Sequence, residues 1–311
     1  MSEMKEIKIK SSVTLTGTLT RPEKNDQHIA IVMIPGSGKV DRNGNADKKG
    51  MDFNIYQELS DFLVSLGYTT VRYDKRGVGK SEGDLLRTGL HDAIEDVQAA
   101  VQYIKNDLPI IDKVLLLGHS EGTMIATAVA TQVDVGGVIL LAGGGETLEE
   151  ATKRQRELTF QALKEKKNFT GWLFRRFRLA EKAEKKNQRL FNKIKQSDKE
   201  VIRVQLIPFP AKWLREHFTY DLMADLKQLT CPVLAITGKA DYQSDYQKLE
   251  RVAELISSDT ECHTIETMDH MLKEETDEVN MLEIQKVYQK NRNKPLHPEM
   301  KEILENWLQN N

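Results

Sequence analysis

The sequence predicts an α/β protein with a mostly parallel central sheet flanked by helices. Three observations carry this. Apolar runs without alternation, I-A-I-V-M-I at 29–34 and V-L-L-L-G at 114–118, read as strands buried on both faces. Glycine-bearing loops follow such strands, and stretches with helical spacing follow the loops. The strand–loop–helix unit repeats, which implies right-handed crossovers and ligands bound beyond the carboxyl ends of the strands.

Residues 4–10 and 12–21 alternate and read as two short strands, with Gly17 as a bulge. A polar turn at 23–27 precedes the first buried strand, 29–36, and a loop rich in Gly, Asp and Asn follows it. Helical spacing over 53–66 (Phe53, Tyr56, Leu59, Phe62, Leu63, Leu66) closes at Gly67. A strand at 68–73 leads into D-K-R-G-V-G-K-S-E-G, and a helix covers about 89–106. Then come V-L-L-L-G-H-S-E-G (114–122), an Ala/Thr-rich helix (123–132) and V-G-G-V-I-L-L-A-G-G-G (135–145). From 146 to 229 the pattern breaks into basic, helical sequence punctuated by aromatics. Strand signals return at 231–241 and 261–270, and helical patches run to Trp307 and Leu308. The expected organisation is a core of residues 1–145 and 230–311, with a helical basic cap inserted at 146–229.

Composition narrows the function. Of 311 residues 39% are hydrophobic and 30% charged, as in a water-soluble globular chain. No apolar run approaches the ~18–20 residues of a transmembrane segment, and the N-terminus alternates instead of carrying an apolar leader. Two cysteines, Cys231 and Cys262, make neither a disulfide framework nor a zinc site, so a cytoplasmic location is expected. The net charge of −2 hides an asymmetry. Residues 153–215 hold 19 Lys/Arg against 6 Asp/Glu, which is +13 and leaves −15 for the rest. Oligomeric state stays open, a homodimer included.

The stretch G-V-G-K-S at 77–81 ends like a phosphate-binding loop. The full pattern, G-x-x-x-x-G-K-[ST], requires glycine at position 74, and Asp74 stands there. A carboxylate would repel the phosphate. The stretch reads instead as a supporting loop in which Asp74 and Arg76 tie neighbouring loops together.

The chemistry is concentrated in G-H-S-E-G, Gly118–Gly122. An apolar strand leads in and a helix of small residues leads out, the context in which a serine projects from a tight strand-to-helix turn. A serine hydroxyl needs a base. Of seven histidines, His270 follows the last strand and lies downstream of Ser120, as the order serine, acid, histidine requires. His297 is the runner-up; His28, His91, His119, His217 and His263 fall in turns, helices, the elbow itself or a strand. Asp241 closes I-T-G-K-A-D and is placed to orient the imidazole, with Asp245 and Asp269 nearby. An oxyanion needs backbone donors. Glu121 offers one N–H and Ser37, in I-P-G-S-G, the other, with Gly38 as the alternative.

These motifs resemble the α/β-hydrolase superfamily, and in particular bacterial carboxylesterases of the dienelactone-hydrolase-like type with a helical cap. The likeness rests on I-P-G-S-G with D-R-N-G, Y-D-K-R-G-V-G-K-S-E-G, G-H-S-E-G, G-K-A-D-Y-Q and M-D-H-M-L, spread over 34–272. Two departures stand out: Pro35 where many relatives carry His, and Thr123 where near relatives often carry glycine. Neither removes a catalytic group. The resemblance implies a serine carboxylic-ester hydrolase working through an acyl-enzyme on small to medium acyl esters, without metal or organic cofactor. Thioesterase or acyltransferase, and less readily peptidase, are the alternatives, and a non-catalytic binding fold is the third. The expected partner is a small-molecule ester, not nucleic acid. For G-W-L-F-R-R-F-R-L-A (171–180) three readings stand: an aromatic side packed on the core, a substrate wall, or a surface helix for anionic membranes or nucleic acid.

Overall fold

A computed structural model describes residues 2–24, 27–46 and 50–311. Part of the turn expected over 23–27 lies outside the described residues. Strands β1 (Glu3–Lys10), β2 (Thr14–Arg21) and β3 (Ile29–Ile34) come first, then α1 (Ile55–Ser65), β4 (Thr69–Tyr73) and α2 (Leu90–Asp107). Strand β5 (Lys113–His119), α3 (Glu121–Ala130) and β6 (Gly137–Leu141) follow. Helices α4 (Leu148–Glu165), α5 (Phe169–Arg176) and α6 (Leu179–Lys195) precede a hairpin, β7 (Val201–Val204) with β8 (Ile207–Pro210), and then α7 (Ala211–Thr219) and α8 (Leu222–Leu226). The chain ends with β9 (Val233–Gly238), α9 (Leu249–Leu255), β10 (Thr260–Ile265), α10 (Ile284–Asn291) and α11 (Pro298–Asn310).

Eight strands form one sheet in the order β1-β2-β4-β3-β5-β6-β9-β10. The β1–β2 and β2–β4 pairs are antiparallel and all others parallel. Strands β3, β6 and β9 are buried along their whole length, which is why their sequences do not alternate. Their residues still divide between two cores. Ala30, Val32 and Ile34 pack under α2 and α3, while Ile29, Ile31 and Met33 pack under α1 and α11. The parallel strands all end on one edge, and the loops after β3, β4, β5, β9 and β10 gather there.

Gly17 is not a bulge. The β1–β2 ladder runs unbroken from Glu3↔Arg21 to Lys10↔Thr14. Glycine is required there because a Cβ would stand 2.8 Å from the Arg72 carbonyl oxygen. The segment between β6 and β9 is not helical throughout either. V-I-R-V and I-P-F-P pair as β7 and β8 around Gln205 and Leu206, both with positive φ (51° and 69°). No Asn-Gly or Asp-Gly announced that turn. The reading of 171–180 as an aromatic side packed on the core is overturned. Phe169, Trp172 and Phe177 are 71%, 48% and 46% exposed and pack on one another.

The D-K-R-G loop is held by buried charge. Asp74 accepts from the Arg42 backbone and guanidinium, both at 2.8 Å, and from Lys80 N at 3.0 Å. Its carboxylate fills the space beside Gly79, where a Cβ would lie 2.3 Å from Oδ2. Arg76 donates from Nε and Nη2 to Asp96, both at 2.8 Å, with Glu95 and Asp92 also in reach. Arg76→Ala leaves Asp96 buried without its cation, and urea unfolding should show a loss of about 3–5 kcal/mol. Lys80→Ala, which breaks only an exposed pair with Glu6, should leave the unfolding midpoint unchanged.

Candidate active site

Strand β5 ends at His119 and helix α3 begins at Glu121, so Ser120 takes the whole turn, with φ 56° and ψ −120°. Only small neighbours allow this. A Cβ on Gly118 would come 2.2 Å from the Gly122 carbonyl oxygen, and one on Gly122 would come 2.2 Å from that of Ile34. Thr123 fits the turn, because its Oγ1 donates to the Ser120 carbonyl at 2.7 Å. The turn projects the Ser120 hydroxyl at the carboxyl edge of the sheet, beside the N-terminus of α3, which favours negative charge.

The loops after β9 and β10 meet behind it. A Cβ on Gly238 would lie 1.8 Å from the Met268 carbonyl, so the glycine lets the two loops touch. His270 Nε2 lies 3.0 Å from Ser120 Oγ, and Nδ1 lies 2.8 Å from Asp241 Oδ2. Asp241 Oδ1 accepts from the backbone N–H of Gln243 and Ser244 at 2.7 and 2.9 Å. A carboxylate only accepts, so Nδ1 carries the ring proton and Nε2 is free to receive one from the serine. Asp269 serves the turn instead, accepting from Met271 N and Lys273 N at 2.9 Å each. Asp245 caps the short turn at 246–248. His297 is buried beside Thr267 Oγ1 at 3.0 Å, and His263 faces Glu261 on β10. The structure therefore joins Ser120, His270 and Asp241, and leaves the other candidate bases and acids apart from them.

His119, one residue before the serine, points the other way into the core. Its Nε2 donates to the His270 carbonyl at 2.8 Å. Its Nδ1 must then accept, which it does from the Tyr56 hydroxyl at 3.0 Å. Tyr56 in turn accepts from Gly36 N–H at 2.8 Å. One buried chain thus ties the loop of Ser37 to the backbone of His270. Burial, with the nearby His270 charge, pulls the His119 pKa down to about 3, so the ring stays neutral. Tyr56 stands in the helical spacing of α1, where an aromatic reads as core, and nothing in the sequence pairs it with His119.

The sequence assigns Glu121 a backbone role alone, yet its side chain is buried too. Trp213 Nε1 donates to Oε1 at 2.5 Å, and His217 Nε2 lies 2.8 Å from the same oxygen. Burial would raise this carboxyl. His217, the Lys75 charge and the Trp213 N–H outweigh burial and hold it at about 2. Trp213 and His217 both lie on α7, so this buried anion fastens the segment between β6 and β9 to the serine turn.

Two clefts open at Ser120. One of about 230 Å³ is lined by Ser37 and by apolar Val40, Met51, Phe53, Ile55 and Ile284. A second of about 150 Å³ is lined by Ser37, Glu121, Met124, Leu148 and Trp213. Residues 171–180 line neither cleft. Gly38, the alternative oxyanion donor, has φ 87° and is absent from both linings. Among the described residues, no group of three or more His, Cys, Asp or Glu is placed to hold a metal ion.

The family model described as serine aminopeptidase, S33, matches residues 49–277, well over half of the chain. The esterase EstD of Thermotoga maritima is 27% identical over 230 residues, covering 74% of this chain and 50% of that protein. The chain thus spans about half the length of this curated relative. Two solved structures share the fold. Est1E from Butyrivibrio proteoclasticus with bound ferulic acid superposes with a TM-score of 0.59 at 16% identity, covering 91% of this chain and 96% of that one. The Pyrococcus furiosus esterase Pf2001 gives a TM-score of 0.58 at 14% identity, covering 99% and 90%.

The neutral His119 has a pH signature. The unfolded chain takes up this proton near 6.5, whereas the folded chain refuses it until about 3. Its contribution is therefore full above pH 6.5 and is lost as pH falls toward 3. Glu121 acts in the same sense lower down, between 4.5 and about 2. Urea unfolding between pH 6 and pH 5 should show wild type losing stability more steeply than His119→Gln, by up to about 1.4 kcal/mol per pH unit. Parallel slopes would contradict the neutral assignment.

Proposed function

The chain belongs to the serine aminopeptidase S33 family of α/β-hydrolase fold, and from that premise we propose that it is a serine carboxylic-ester hydrolase. The observation that carries the reading is the unbroken relay Ser120 Oγ, His270, Asp241, at 3.0 and 2.8 Å, opening on an apolar cleft. Ser120 Oγ attacks the ester carbonyl carbon while His270 Nε2 takes its proton. Asp241 holds the imidazole in the required tautomer and stabilises the imidazolium. The carbonyl oxygen becomes an oxyanion facing the N–H groups of Ser37 and Glu121. The tetrahedral adduct collapses, His270 protonates the leaving alcohol, and an acyl-enzyme remains. Water then attacks that acyl group with His270 as base, and Ser120 leaves with its proton restored.

The cleft favours small to medium acyl esters, since its walls are mostly apolar side chains around one hydroxyl nucleophile. An aminopeptidase would need a free carboxylate to receive the substrate ammonium. Among the described residues, the carboxylates lining the clefts are Glu121 and Glu146. Trp213 and His217 engage the first, and Arg154 pairs with the second at 2.9 Å. This supports an ester over an amino-terminal peptide. Within the family, the motif set supports a dienelactone-hydrolase-like carboxylesterase. The segment 146–229 is proposed to act as a cap, since α4 and α7 supply Leu148, Gln155 and Trp213 to the second cleft. Two unpaired cysteines suit a cytoplasmic enzyme.

Hydrolysis of p-nitrophenyl esters from C2 to C12, with one acyl-CoA for comparison, tests the proposal. Wild type should favour the simple esters. Ser120→Ala should abolish turnover, and Asp241→Asn should lower kcat by about 10³–10⁴-fold. Full activity in Ser120→Ala would sink the reading, and preference for the acyl-CoA would turn it toward a thioesterase.

A further inference from the structure

We infer that Lys75 is a positioning residue of the oxyanion site, acting through the peptide group that joins Gly36 to Ser37. The inference rests on the serine-esterase reading above and adds a residue to it. Lys75 lies just beyond β4, in the D-K-R-G loop, and its Nζ donates to the Gly36 carbonyl oxygen at 2.6 Å. That carbonyl and the Ser37 N–H are the two ends of one planar trans amide, and they point in opposite directions. A cation bonded to the oxygen pulls electron density out of the amide. The N–H at the far end becomes a stronger donor. That N–H is the one proposed to face the oxyanion, and Ser37 borders both clefts at Ser120.

The surroundings support a tuned position over a casual tie. The preceding amide is gripped as well, because Gly36 N–H donates to the buried Tyr56 hydroxyl. The loop therefore cannot rotate the Ser37 N–H out of the cleft without breaking a buried bond. The Lys75 side chain is half-buried, and desolvation lowers its pKa against the raising effect of Glu121. Glu121 carries the second proposed oxyanion donor, and its buried carboxylate sits one residue from the nucleophile. An uncompensated anion there would oppose negative charge developing on the substrate. Lys75 therefore acts on both donors. It polarises the first, and it offsets the unfavourable field of the residue that bears the second. Asp74 and Arg76, its neighbours in sequence, are committed to Arg42 in the loop after β3 and to Asp96 on α2.

A structural tie and an electrostatic role differ in what they stabilise. The test compares wild type with Lys75→Met, Lys75→Gln and Lys75→Arg on p-nitrophenyl butyrate. It also measures inhibition by an alkyl trifluoromethyl ketone, which adds to serine and carries an oxyanion. Lys75→Met should lower kcat about 10-fold with KM within about 2-fold, less than the ~10²–10³ lost with an entire oxyanion donor. The ketone should weaken by the same factor. Lys75→Gln, which keeps a donor without the charge, should fall between, and Lys75→Arg should restore most of the rate. If Lys75→Met does not fold, the Gln and Arg variants decide by the same comparison. Unchanged kcat in the uncharged variants, or lost rate with undiminished ketone affinity, would overturn the inference. Ester turnover that survives Ser120→Ala would instead mark failure of the esterase reading itself.

Discussion

Ser120 turns the chain through a left-handed conformation between a strand and a helix, and the rest of the site depends on that turn. The geometry costs free energy for any residue with a side chain. It persists because Gly118 and Gly122 remove the atoms that would block it, and because Thr123 bonds back to the Ser120 carbonyl. Three consequences follow from the one constraint. The hydroxyl is lifted off the sheet edge. The Glu121 N–H, first in its helix, has no carbonyl four residues back to bond. His119, on the opposite side of the strand, is driven into the core, where only a fully bonded imidazole is tolerable.

That last consequence organises the surroundings. The His270 carbonyl can only accept, so it fixes the His119 tautomer, and the tautomer requires a donor at Nδ1. Tyr56 supplies it and takes the Gly36 N–H in exchange. The loop after β3, helix α1, the end of β5 and the loop after β10 are thereby linked through buried polar groups with no free member. Such a network is costly when broken and rigid when complete. The Glu121 carboxylate works on the other side of the turn. It is an anion in the core, stabilised by an indole N–H and an imidazole from α7, and it makes the placement of that helix part of the electrostatics of the serine.

Much of this was legible in the residues. Buried strands announce themselves by not alternating, and G-H-S-E-G, Asp241 and His270 follow β5, β9 and β10, parallel strands of one sheet, so strand direction brings them to one edge. Asp74 at the position of an essential glycine separated the D-K-R-G loop from a nucleotide site. The failures have separate physical causes. Gly17 looked like a bulge because the carbonyl it accommodates, from Arg72, lies on another strand. The β7–β8 turn uses Gln205 and Leu206 with positive φ, against local preference. The aromatics of α5 have the spacing of a buried face, yet they stack on one another at the surface. Tyr56, Lys75 and His217 occupy ordinary positions in their own segments, and become polar partners only when the loops converge.

The central claim is that Ser120 is a nucleophile activated by His270 and held by this scaffold. Reaction with a fluorophosphonate, followed by digestion and mass mapping of the adduct, tests it most directly. The account predicts one adduct per chain, on the peptide bearing Ser120, formed at least 10³-fold more slowly in His270→Ala. An adduct on a different residue, or labelling of Ser120 at an unchanged rate without His270, would contradict it.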